Sequence, residues 1–337
     1  MDCFAWRHVA VSALCRGIEG FGLNRRIHTG RFPDVSTDLP LVACAVDSRE
    51  RIQALLDDVD RVLADGLITL EHARLAAGDE LADVQFPPGP GRAGKLTIYC
   101  GRAERAAVGR RPAYREAVAI LRRHGVAGAT ALLGVDGTYQ GRRQRAAFHS
   151  PRRNAPLMII SVGRRETLAA ALPDLSQALE WPLVTLEGIA QVKHDGELLE
   201  GLPRTTGTDR QGLSIWQTIR VSTRRSAQAY GRALYTELTR QLREAGAAGV
   251  TTILGHWGFS SDEPPHGDRF PRLTSHTPTY TTYIDRPAKV AEVWPIIDDL
   301  TARHGIVTSL LVPAYRERRG KRVHGGLRLA DILPPQE

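Results

Sequence analysis

Leu14-Cys15-Arg16-Gly17-Ile18-Glu19-Gly20 is one of three renderings of the same short phrase in this chain. It returns as Leu132-Leu133-Gly134-Val135-Asp136-Gly137 and as Ile253-Leu254-Gly255-His256-Trp257-Gly258. A polar stretch bearing Arg and His follows each copy. Then Pro40, Pro156 and Pro278 open the apolar runs 40–46, 156–162 and 278–284, at 23, 22 and 23 residues from the first glycine. Each copy closes on an apolar segment containing threonine: 67–71, 183–187 and 306–310. A period of about 120 residues is too long for a solenoid unit and fits tandem copies of one small domain.

Bulk composition narrows the class. The chain has 337 residues, 42% hydrophobic and 24% charged, which suits two or three folded domains and argues against disorder. No apolar run reaches the length of about 18 residues that a membrane helix needs. The first residues lack the basic-then-apolar pattern of a secretory signal. Cys3, Cys15, Cys44 and Cys100 have no CxxC spacing, so they read as reduced thiols of a cytoplasmic protein, with a Cys15–Cys44 bridge as the lesser alternative. Between Lys95 and Arg165 basic residues far outnumber acids, so the net charge of +8 belongs to the middle copy. That concentration is either a solvated arginine-rich face or a site for phosphate or a polyanion.

The middle copy displays the whole unit. Lys95-Leu96-Thr97-Ile98-Tyr99 alternates like a strand, and Tyr114, Ala117, Val118 and Leu121 fall at helical spacing up to Gly125. Residues 126–133 and 157–162 read as two more strands. Leu168, Leu172, Leu175 and Leu179 form a second amphipathic helix, and 183–192 is the last strand. The order β-α-β-β-α-β defines an α+β, ferredoxin-like (split βαβ) domain, an antiparallel sheet covered by two helices. The third copy repeats it, with a strand near 215–221, a helix carrying Leu234, Leu238 and Leu242, and a second helix opened by Asp285 and Pro287. The first copy keeps the second helix, with Asp47 and Glu50 placed like a capping box and Ile52, Leu55, Leu56, Val59 and Leu63 on one face. Its first strand and first helix are missing. Either the natural reading frame starts upstream, or another segment, such as 315–329, fills the slot.

The expected division is therefore a partial copy over 1–78, a linker at 79–94, a complete copy over 95–195, a linker at 196–212, a divergent copy over 213–315 and a tail from 316 to 337. The connectors 76–94, with Pro87-Pro88-Gly89-Pro90-Gly91, and 196–212 read as exposed.

Arg16-Gly17-Ile18-Glu19-Gly20-Phe21-Gly22, followed by Ile27-His28-Thr29 and Leu39-Pro40, resembles the uncharacterised PII-like family numbered one hundred and ninety among domains of unknown function. Lys95-Leu96-Thr97-Ile98-Tyr99 with Gly101, Glu104 and Arg105 is similar to that family's opening strand and following turn. The resemblance implies a ferredoxin-like fold assembling as a trimer, nucleotide binding in clefts between subunits, and a long loop that touches a partner. It points to a membrane transporter or channel as that partner. Three fused copies would make an intramolecular pseudo-trimer with three unequal clefts. The middle loop, 138–153, departs from the pattern: it lacks the Phe-Gly and Ile-His-Thr elements and gains arginines.

Several residues are candidates for chemistry. The Gly-x-acid-Gly turns, Gly17/Glu19/Gly20 and Gly134/Asp136/Gly137, let backbone N–H groups approach a phosphate, or simply end a strand that needs glycine. With Gly22, Arg26, His28, Arg31, Lys95, Arg105, Arg142 and Arg143, they form the candidate ligand set for a small anionic metabolite such as an adenine nucleotide. Arg25, Arg145 and His149 extend the basic loops. His266, Asp268 and His276 carry metal-ligating side chains without a supporting spacing. Trp257 and Phe259 are candidates for stacking or for packing. No nucleophile–base pair or carboxylate pair can be assembled, so an enzyme is not expected. A cytoplasmic PII-like regulator leads the readings. Specific nucleic-acid binding is not expected, because the middle copy lacks the aromatic sheet motif of RNA-binding split βαβ domains. It stays as the alternative, beside a ligand-free structural adaptor.

Overall fold

The computed structural model describes residues 1–22, 25–29, 39–145, 155–260, 264–267 and 277–332. The first repeat runs α1 (Asp2–Trp6), β1 (Val11–Phe21), β2 (Leu41–Val46), α2 (Arg49–Val62), β3 (Asp65–Leu70) and β4 (Arg74–Ala77). The second runs β5 (Ala93–Gly101), α3 (Ala113–Arg123), β6 (Gly128–Leu133), β7 (Asp136–Tyr139), β8 (Pro156–Arg164), α4 (Arg165–Ala178) and β9 (Leu183–His194). The third runs β10 (Trp216–Arg224), α5 (Leu234–Glu244), β11 (Val250–Leu254), β12 (Trp257–Ser260), β13 (Pro278–Asp285), α6 (Pro287–Leu300) and β14 (Ile306–Val312), and a hairpin of β15 (Ala314–Arg319) and β16 (Arg322–Gly326) follows. The chain is thus α+β with antiparallel pairing throughout. No helix of the described residues is long and apolar enough to cross a membrane.

The second and third repeats share one sheet order. It is β6-β8-β5-β9 in the second and β11-β13-β10-β14 in the third. One face of each sheet is covered by its two helices. Leu96, Ile98, Leu121, Leu157, Ile159, Leu168 and Leu172 are sealed in the second repeat, and Ile219, Leu242, Val290, Ile297 and Val307 in the third. The opposite faces meet at a shared centre, where Val11, Ala13 and Cys15 of the first repeat pack with Tyr99, Leu132 and Met158 of the second and Ile253 and Tyr280 of the third.

Two rings of strand pairing bind the repeats. In the inner ring, 17–21 of β1 pairs with 250–253 of β11, β12 pairs with 128–131 of β6, and β7 pairs with 11–14 of β1. First joins third, third joins second, second joins first. In the outer ring, β4 pairs with 183–186 of β9, 190–194 of β9 pairs with 306–309 of β14, and β15 pairs with β3. Each repeat therefore donates one strand extension in each direction.

The first repeat corrects several expectations. Its first strand is absent from the described chain, but the last turn of its first helix is present. Val9 N–H donates to Phe4 O at 3.0 Å, as Val126 does to Leu121 O at 3.3 Å and Ala247 to Leu242 O at 3.0 Å. These are the same helix-ending loop, with the left-handed position taken by His8 (φ 51°), Gly125 (φ 73°) and Gly246 (φ 88°). The histidine, in a conformation unusual for a residue with a Cβ, is what hides the turn in the sequence. The segment 315–329 does not fill the missing slot. Its β15 pairs with β3 in the outer ring, as β4 does with β9, and has no pairing with β2 among the described residues.

Asp47 and Asp285 are not helix caps. Ser48 Oγ accepts from Arg51 N–H at the start of α2, whereas Asp47 Oδ2 accepts from Ala10 N–H at 2.9 Å. Asp285 Oδ2 likewise accepts from Ala248 N–H at 3.0 Å. Both acids staple the third strand of their repeat to the chain entering the second. The connector 76–94 is not an exposed linker either: Ala76, Leu81 and Val84 are buried in the second repeat's core, and Phe86 packs on it. The connector 196–212 mixes exposed and half-buried residues, with Leu202 packed on the third repeat's core. All four cysteines are free thiols.

Candidate functional site

The thrice-repeated glycine turn sits where one repeat's strand crosses to the next. Gly17, Gly134 and Gly255 each donate their N–H to the carbonyl of Pro40, Pro156 and Pro278, at 2.8, 2.8 and 2.7 Å. The following residue reaches another repeat: Val135 N–H donates to Leu14 O and His256 N–H to Ala131 O, both at 2.7 Å. A Cβ on the first glycine would lie 2.7–2.9 Å from the proline Cγ in every copy. On the second glycine it would strike the neighbouring repeat's backbone: Val250 O at 2.4 Å from Gly20, Ser12 O at 2.1 Å from Gly137, Ala129 O at 2.2 Å from Gly258. Close backbone approach is the reason for glycine here, and the approaching group is the next repeat.

The acids of these turns are engaged. Asp136 accepts from Gly137 N–H at 2.8 Å and from Arg143 Nη2 at 2.8 Å, and Arg143 also pairs with Asp2 of the first repeat. Glu19 is buried, with one oxygen accepting from Thr236 Oγ1 at 2.8 Å and the other without a partner. Burial raises its pKa above the ordinary carboxylate value, and the Thr236 bond offsets only part of that.

Lys95 lies in the shared centre. Its Nζ is 2.7 Å from Glu187 Oε1, and beside it Arg220 of the third repeat bonds both oxygens of Glu71 of the first at 2.8 and 2.9 Å. Burial alone would raise the Glu71 pKa, but Arg220 and Lys95 outweigh it and hold the carboxyl below its usual range. Burial and Arg220 pull Lys95 down, while Glu187 and Glu71 overcome them and keep it protonated. The four charges join all three repeats and leave no cation free for a ligand. The cavity against Arg220, lined also by Thr130, Ser222, Tyr280 and Thr308, has room of about 20 Å³, the size of one water.

The remaining candidates are scattered. Gly22 and Arg26 are exposed, and His28 pairs with Gly20. Arg25 donates to Arg243 O at 2.7 Å, bridging the first and third repeats. Arg105 and Arg142 are exposed in the second repeat. Arg31, His149, Asp268 and His276 lie outside the described residues, as does the side chain of Arg145. No group of three or more metal-ligating side chains occurs among the described residues. Phe259 is buried in the second repeat's core, while Trp257 packs against that core under the Arg115 guanidinium at 4.3 Å.

A further opening was not among the sequence candidates. It is a cleft of about 390 Å³ between the first and second repeats, lined by Ala10, Ala77, Gln140, Trp181 and Leu183. Aligning the copies shows the signal that marks it: Trp181 stands where the first and third repeats have Asp65 and His304.

A chain of three related α+β repeats, each stitched to both others by exchanged strands, is the class this architecture defines. The family model DUF190, described as Uncharacterized ACR, matches at residues 2–75, 93–191 and 216–314, so the chain belongs to that family in three tandem copies. No solved structure matches the chain.

Proposed function

We propose that this chain is a PII-like regulatory protein whose three ferredoxin-like repeats form an intramolecular pseudo-trimer. It binds a small metabolite of the nucleotide type in a seam between repeats and passes the bound state to a partner such as a membrane transporter or channel. The observation that carries this reading is the closed double ring of strand pairing, which makes every seam a junction of two repeats. The β6-β8-β5-β9 order supports the ferredoxin-like description, being the strand order of a split βαβ sheet. A ligand held at a seam contacts both repeats at once and so biases their relative position, which a partner can read.

Thermal unfolding with a panel of nucleotides and small anionic metabolites tests the proposal. A ligand present at about a hundred times its Kd stabilises by about 2.7 kcal/mol. A panel in which every member leaves the transition unmoved overturns the reading.

A further inference from the structure

We propose that the cleft between the first and second repeats is a site for a flat, uncharged heteroaromatic ring of the nucleobase type, with Trp181 as stacking platform and Gln140 as its hydrogen-bonding partner. This rests on the seam-binding reading above and specifies which seam, which residues and which part of the ligand.

Four observations converge. First, Trp181 is 68% exposed, although most large apolar side chains here are sealed. Second, it is held in place despite that exposure. Its carbonyl accepts from Tyr139 Oη at 3.2 Å, and the next carbonyl, of Pro182, accepts from Gly78 N–H at 3.1 Å. A Cβ on Gly78 would come within 3.2 Å of the indole, and Gly78 has φ +57°, so glycine lets the ring settle against the first repeat's backbone. An open indole carried on a bonded backbone and lying against Gly78 offers a surface for stacking.

Third, Gln140 is presented by a tight hairpin turn. Gln140 and Gly141 both have positive φ, 51° and 71°, between β7 and the strand Arg142–Arg145. That two-residue turn fixes the backbone carrying the amide. One N–H of its carboxamide bonds the Tyr139 hydroxyl, and the second N–H and the carbonyl oxygen remain as a donor and an acceptor side by side for a base edge. Fourth, the rest of the lining is Ala10, Ala77 and Leu183, and no charged side chain belongs to it among the described residues. At about 390 Å³ the cleft is within the range of small-molecule sites. The ring enters, and any phosphate or sugar it carries stays at the mouth.

The test uses the full chain with adenosine, guanosine and uridine at about 1 mM, with ribose 5-phosphate as the anionic control lacking a ring. The readouts are thermal unfolding and quenching of indole fluorescence. A nucleoside is expected to raise the transition and quench emission, and ribose 5-phosphate to do neither. Trp181→Ala is expected to weaken nucleoside binding about tenfold or more, Trp181→Phe to restore most of it, and Gln140→Ala to reduce discrimination among the three bases. Because Trp181 is exposed, its replacement leaves the fold intact, which the unliganded transition checks. Nucleoside binding unchanged in Trp181→Ala overturns this assignment. So does a shift produced by ribose 5-phosphate or nucleotides but not by nucleosides, although the seam reading then survives. Silence from nucleosides and from every anionic metabolite removes both.

Discussion

The second repeat and the first follow one plan, yet they are held together differently. In the second, a central strand and two full helices seal Leu121, Leu168 and Leu172 almost completely. In the first, the central strand and most of one helix are absent from the described chain. Leu41 is then 58% exposed, Leu67 44% and Val62 72%, and of the apolar face of α2 only Leu55 is fully buried, against Phe4 and Val9. What keeps the first repeat ordered is its neighbours. β1 is paired by β7 and β11, β3 by β15 and β4 by β9, while β2 and the short strand His28–Thr29 pair only with β1 among the described residues. Much of what orders the first repeat therefore comes from between the units.

Charge shows the same contrast and offers the largest test. Glu187 takes its cation, Lys95, from its own repeat, whereas Glu71 takes Arg220 from the third. Removing one partner of a buried pair costs about 3–5 kcal/mol. Lys95→Met should therefore lower stability in urea by that order, and the double change with Glu187→Leu should recover most of it. Arg220→Met should cost as much while acting on the first repeat. A small loss in Arg220→Met alone would mean the first repeat does not depend on the ring.

Completing the first repeat is the next test. By the matched helix ends, Met1 corresponds to Val118, so placing a second copy of residues 93–117 ahead of Met1 supplies the missing strand and helix turns. Covering several aliphatic side chains, at about 1.5–3 kcal/mol each, should raise stability by about 3 kcal/mol or more. An unchanged midpoint would show that the slot between β2 and β3 cannot accept a strand. Glycine replacements then compare the seams directly. Gly137→Ala and Gly20→Ala each force a Cβ into a facing carbonyl and should cost about 1–3 kcal/mol, while Gly22→Ala, with nothing within 4 Å, should be neutral.

The smallest effect concerns pH. Burial, helped by neighbouring Cys44, pushes the Cys15 thiol up to about 12 from an ordinary 9.0. The folded form favours the neutral thiol, so this contribution is complete below pH 9 and fades as pH rises towards 12. Alkaline unfolding should therefore be less steep in Cys15→Ala than in the parent.

Much of this was legible in the residues. The periodic faces of α3, α4, α5 and α6 predicted the buried side chains well, because helices packed on a sheet need an apolar stripe. That the stretch before β1 is shorter than in the other copies was visible by comparing them. The purpose of the glycine turns was not, since a phosphate and a crossing backbone demand the same absence of a Cβ, and only coordinates say which one approaches. Asp47 and Asp285 misled for a related reason: an acid before a helix is the usual cap, but here each bonds a distant N–H instead. The Trp181 cleft went unnoticed because its lining is drawn from four short segments of two repeats, and no local pattern announces such a convergence.

Joining the repeats covalently frees them from sameness. Three identical subunits must carry any new side chain in triplicate, whereas a mutation here alters one junction and spares the others. Trp181 has Asp65 and His304 as its counterparts, so the indole exists once per ring. A molecule recognised by it should therefore saturate at one per polypeptide, with a hyperbolic isotherm, leaving the two other junctions to evolve separate tasks.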